Sequence, residues 1–84
     1  MSLTPNALAE YHRKFPHLLT REKLMHCEDI YCAASSKANY DTMLEAYFRA
    51  QMQAFQPVTK NMPYEQREAV CFWAMLITDL KEGR

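Results

Sequence analysis

The chain has 84 residues, of which 49% are hydrophobic and 24% are charged, the composition of an ordinary globular protein. This length fits a single domain, residues 1–84, and the composition does not indicate a disordered chain. Ten basic residues balance ten acidic residues. Because phosphate binding needs an excess of positive charge, nucleic acid is not an expected partner.

Glycine and cysteine usage excludes further classes. The single glycine, Gly83, leaves no glycine-rich loop for phosphates or dinucleotides, and no Asn-Gly or Asp-Gly pair favours a tight hairpin. The three cysteines are odd in number and unpatterned, so a disulfide framework is not expected and a reducing cytoplasm is the expected location. The first residues do not resemble a signal peptide, and no apolar run has the ~20 residues of a membrane span.

The first helix is predicted at residues 4–14. Thr4 is a good N-cap, and Pro5 suits the first helical turn. Pro16 ends the helix, because the residue before a proline avoids helical geometry. One apolar face is formed by Leu8, Tyr11, His12 and Phe15.

Two further helices are predicted at residues 20–35 and 41–55. Thr20 caps the second helix, which fades in the polar segment 35–39. Asp41 is the predicted start of the third helix, whose apolar positions cover one wide face.

The fourth helix is predicted at residues 63–81. It contains nine consecutive apolar residues, 69–77, within a window of good helix formers. Pro63 suits its first turn, and Gly83 suits the left-handed position after its end. The sequence therefore predicts an all-α domain of four helices, with the last helix central and short loops joining antiparallel neighbours.

The fourth helix has more apolar surface than one core face needs. Tyr64, Cys71 and Met75 project from its polar side, and Phe72 lies at the edge of the core face. These four residues are the predicted partner-binding surface. The main hypothesis is a non-enzymatic protein-interaction or regulatory module, such as an adaptor, that binds a protein partner or forms a homodimer through this helix.

A second hypothesis is a small DNA-binding regulator in which the second and third helices form a helix-turn-helix. The outer face of the third helix would then present Thr42, Arg49 and Gln53 to the bases. Glu45 shares this face and would meet phosphates, which argues against the hypothesis.

A third hypothesis is a small metal- or thiol-dependent enzyme. Glu22, His26 and Asp29 lie on one side of the second helix, but this side is expected to be solvated. Cys27 faces the core, and Cys71 has no base nearby in the sequence. No metal, cofactor or catalytic residue is therefore expected.

Overall fold

The computed structural model describes residues 3–55 and 63–83, which form four α-helices. The helices are α1 (Pro5–Lys14), α2 (Arg21–Ala33), α3 (Lys37–Gln53) and α4 (Tyr64–Glu82). No strand occurs in the described ranges, so the predicted all-α class is confirmed. The segment between the third and fourth predicted helices, residues 56–62, lies outside the described residues.

The starts of α1 and α2 are those expected from the sequence. Thr4 accepts a hydrogen bond at its Oγ1 from the backbone N–H of Ala7, at 3.2 Å. Thr20 accepts one from the backbone N–H of Lys23, at 3.4 Å. Each bond satisfies one backbone donor that the first helical turn leaves without a partner.

The boundary between α2 and α3 differs from the prediction. Ser36 has an extended backbone, and its Oγ accepts from the backbone N–H of Asn39 at 3.1 Å, so α3 begins at Lys37 instead of Asp41. The polar segment that was expected to break the chain thus supplies the cap and first turn of a helix. Only three residues, 34–36, connect α2 to α3.

Each end of α4 lies one residue later than predicted, and Pro63 and Gly83 flank the helix. Pro63 is the residue before the first helical position, and it makes no side-chain capping bond. Gly83 has a φ of 76°, and its N–H donates to the carbonyl of Asp79 at 2.8 Å. This left-handed conformation closes the helix where glycine has no steric penalty.

The core is built around α4, as predicted. Trp73 is fully buried, with its ring centroid 5.8 Å from that of Phe48 on α3 and 5.0 Å from that of Phe72. The Nζ of Lys23, on α2, lies 5.3 Å from the centroid of the same indole. The buried residues of α4 are Ala69, Phe72, Trp73, Leu76, Ile77 and Leu80.

Three side-chain contacts align α1 and the loop after it with α4. The contacts pair Tyr11 with Asp79, Phe15 with Phe72, and His17 with Glu68. Residues later in α1 and its loop thus contact residues earlier in α4. The first contact is a hydrogen bond from the tyrosine hydroxyl, and the last joins Nε2 to Oε1 at 3.3 Å. Helix α1 therefore runs antiparallel to α4.

Within residues 3–55 and 63–83, no helix combines the length and the apolar content that a membrane span requires.

Candidate functional site

The outer side of α4 carries a row of exposed side chains, which we call the α4 stripe: Tyr64, Cys71 and Met75. At about 100° per residue, the spacings of seven and four keep the three within about 40° of one another around the helix axis. Tyr64 is 75% exposed, Met75 is 37% exposed and Cys71 is exposed. The stripe extends for about 16 Å at 1.5 Å per residue.

Phe72 does not belong to this surface. It is only 3% exposed, and its ring lies 6.0 Å from Tyr11, 5.0 Å from Phe15 and 5.0 Å from Trp73. Its predicted role in partner binding is therefore corrected to a role in the core. The helical periodicity placed Phe72 at the edge of the core face, and packing of α1 against that edge buries it.

Met75 also borders a shallow groove between α1 and α4, which we call the α1–α4 groove. Its lining consists of Glu10, Tyr11, Lys14, Phe15 and Met75, around a volume of about 270 Å³. Tyr11 and Phe15 were expected to face the core, and both are only half-buried in the structure. Their contribution to an accessible groove depends on how α1 lies on α4, which the sequence does not specify.

A larger cleft lies where the start of α1 meets the connection between α2 and α3. Its volume is about 760 Å³, and its lining includes Tyr31, Tyr40 and Lys37. The hydroxyl of Tyr40 donates to the carbonyl of Leu3 at 2.7 Å, and burial raises the pKa of this phenol. The bond fastens the beginning of the described chain to α3.

The three residues of the nucleic-acid hypothesis lie on α3. Thr42 and Gln53 are exposed, and the hydroxyl of Thr42 donates to a backbone carbonyl one turn earlier at 3.0 Å. Glu45 contacts Arg49 at 2.9 Å and Lys81 at 3.3 Å. The hydrogen bonds from Arg49 and Lys81 lower the pKa of the Glu45 carboxyl. This face therefore carries a carboxylate between two positively charged side chains.

The cysteines differ in their surroundings. Cys27 is fully buried, and burial, with a smaller contribution from Glu28, raises the pKa of its thiol to about 12. A thiol with a raised pKa is protonated at neutral pH and is a poor nucleophile. Cys32 and Cys71 are exposed, and all three cysteines are free.

The candidate metal ligands of α2 remain separate surface residues. Glu22, His26 and Asp29 are all exposed, and the ring of His26 lies 4.6 Å from that of Tyr47. In the part of the chain that the structure describes, no group of three His, Cys, Asp or Glu side chains is placed to hold a metal ion.

His12 has a structural contact. Its Nδ1 lies 2.6 Å from the carbonyl oxygen of Leu19. Since a carbonyl only accepts, the Nδ1 atom carries the proton in this bond. The contact fastens the loop before α2 to α1.

Comparison of the chain with protein-family models, with curated proteins and with solved structures found no significant match.

Proposed function

We propose that this protein is a non-enzymatic interaction module that forms a homodimer through the α4 stripe and the adjoining α1–α4 groove. One observation carries the proposal. Met75 is both the last member of an exposed row on the most apolar helix and one wall of a groove with Tyr11 and Phe15. The two features thus meet at Met75.

The energetics support this surface as a place of association. Full burial of an exposed methionine contributes about 1.5–3 kcal/mol, and Met75, at 37% exposed, gains only part of this. A symmetric interface repeats each contact, so the gain is made twice. A chain of this size buries only about 60–65% of its unfolded surface, so association adds to a modest stability. Methionine and tyrosine both suit adaptable, partly wet contacts.

The proposal places the dimer in a reducing compartment, the cytoplasm, because all three cysteines are free thiols. Its role would be that of a regulator or adaptor, in which the dimer presents the remaining surface to other proteins. The protonated, buried thiol of Cys27 supports a non-enzymatic role.

The test is sedimentation equilibrium of the wild type, Met75→Glu and Met25→Glu over a wide concentration range. Met25 is the matched control, because it is a 56% exposed methionine on α2, away from the proposed surface. We expect the wild type and Met25→Glu to dimerise and Met75→Glu to remain a folded monomer, since a carboxylate in an apolar interface is costly to desolvate.

A wild type that is monomeric at every concentration would refute the homodimer. Equal weakening by the two glutamate variants would show association through some other surface.

A further inference from the structure

We infer, on the basis of the proposed homodimer, that the second copy docks about a twofold axis beside Met75, so that Glu10 of each copy faces Lys14 of the other. The occupant of the α1–α4 groove is then a second copy of this chain. The inference rests on the charges at the groove and on the direction of α1.

The groove is lined by apolar side chains and by one charge of each sign. Tyr11, Phe15 and Met75 provide the apolar part of the lining, while Glu10 and Lys14 are exposed on α1. Four residues separate the two charged residues, so they lie on the same side of the helix, about 6 Å apart. In a twofold interface, a contact from residue i to residue j is repeated from j to i. A surface with one acid and one base is therefore complementary to itself.

The direction of α1 makes this pairing geometrically consistent. Helix α1 runs antiparallel to α4, and Glu10, Lys14 and Met75 share one groove, so they lie at the same level along α4. A twofold axis perpendicular to α4 at that level brings the two α4 helices together in opposite directions. The two α1 helices then lie side by side on one flank, also antiparallel, with Glu10 of one copy opposite Lys14 of the other.

The charges of the groove are available for such pairing. Glu10 is in contact with Arg13, three residues later on the exposed surface of α1, and exposed pairs of this kind contribute little. The second carboxylate oxygen of Glu10 can accept from another donor. Lys14 makes no salt bridge within residues 3–55 and 63–83.

The position of the axis also predicts how much each residue of the α4 stripe contributes to the dimer interface. Met75 lies at the centre of the interface, whereas Tyr64 is about 16 Å away along the helix and lies near its margin. We therefore expect Tyr64→Glu to weaken the dimer less than Met75→Glu does.

The test is a charge exchange measured by sedimentation equilibrium at about 50 mM salt, where exposed charges are weakly screened. The proteins are the wild type, Glu10→Lys, Lys14→Glu, the double variant Glu10→Lys/Lys14→Glu, and an equimolar mixture of the two single variants. Each single variant places like charges opposite each other twice. We expect the dissociation constant of each single variant to rise by about tenfold.

Recovery of dimerisation, in the double variant and in the mixture, is the decisive outcome. The double variant restores opposite charges and is expected to dimerise within about threefold of the wild type. The mixture is expected to form a one-to-one heterodimer of similar affinity, because the all-basic surface of one variant meets the all-acidic surface of the other. Circular dichroism of each variant checks that it is folded.

Three results would overturn the inference: single variants that dimerise like the wild type, weakening without recovery in the double variant, and weakening without heterodimer formation. If Met75→Glu still splits the wild-type dimer in these cases, the proposed function stands and only the arrangement fails. A wild type that never dimerises would refute both.

Discussion

Cys27 shows how burial decides the chemistry of a single residue. Its position on the apolar face of the second helix was expected from the sequence, and the structure buries it completely. Desolvation disfavours the thiolate, which raises the pKa from 9.0 to about 12. The same cause raises the pKa of the phenol of Tyr47 to about 12.

The raised pKa of Cys27 predicts a loss of stability in alkaline solution. Between about pH 9 and pH 12 the unfolded chain loses the thiol proton while the folded chain retains it. Since the folded state then binds more protons, the free energy of unfolding falls as the pH rises, by up to about 1.4 kcal/mol per pH unit for one group.

Urea denaturation from pH 8 to pH 11 checks this expectation. Cys27→Ala removes the titrating group, so its unfolding free energy should fall less steeply with pH than that of the wild type. Ile30→Val, also buried on α2, is the control. It deletes a methyl group at a cost of about 0.5–1.5 kcal/mol and should keep the wild-type slope. A Cys27→Ala curve parallel to the wild type would contradict the expectation.

At the scale of helices, the start of α3 shows where local patterns mislead. Ser35, Ser36 and Asn39 are typical of loops, and they were expected to separate two helices. Serine and asparagine also favour N-caps, because their side chains bond to the free backbone groups of a first turn. The sequence contains both possibilities, and the structure adopts the longer helix with Ser36 as its cap.

We therefore expect Ser36→Ala to destabilise the protein by about 1 kcal/mol, because the backbone N–H of Asn39 loses its acceptor. Ser35→Ala is a matched control. The Ser35 hydroxyl accepts from the exposed side-chain amide of Asn39, so its removal should change stability by less than about 0.5 kcal/mol. Urea denaturation followed by circular dichroism compares the two, and equal effects would show that Ser36 is not the cap.

At the scale of the whole molecule, Trp73 contacts side chains from three of the four helices. Its ring contacts Phe48 on α3, Phe72 on α4 and the ammonium group of Lys23 on α2. It is the only tryptophan in the sequence, and it lies on the helix that contributes the most buried residues to the core. Its indole N–H has no hydrogen-bond acceptor among the described residues, so ring packing and the Lys23 ammonium group hold it in place.

Truncation of Trp73 should affect the whole domain. We expect Trp73→Ala to lower the free energy of unfolding by about 3–5 kcal/mol, as large aromatic truncations in cores do. The total for a chain of this length is about 4–12 kcal/mol, so this loss is a large part of it. Met25→Ala, a large apolar truncation at a 56% exposed position on α2, is the control and should cost less than about 0.5 kcal/mol. Thermal denaturation compares the two, and a small effect of Trp73→Ala would place the core elsewhere.

The sequence by itself determined the helical class, the central position of the last helix and most helix ends, because caps, prolines and apolar periodicity act within a few residues. The exposed positions of Tyr64, Cys71 and Met75 followed from the same periodicity. Tertiary structure alone decided that α1 covers Phe72, that Tyr11 and Phe15 form a groove with Met75, and that Glu45 contacts both Arg49 and Lys81. These facts depend on how helices distant in the chain pack together, which periodicity within one helix cannot specify.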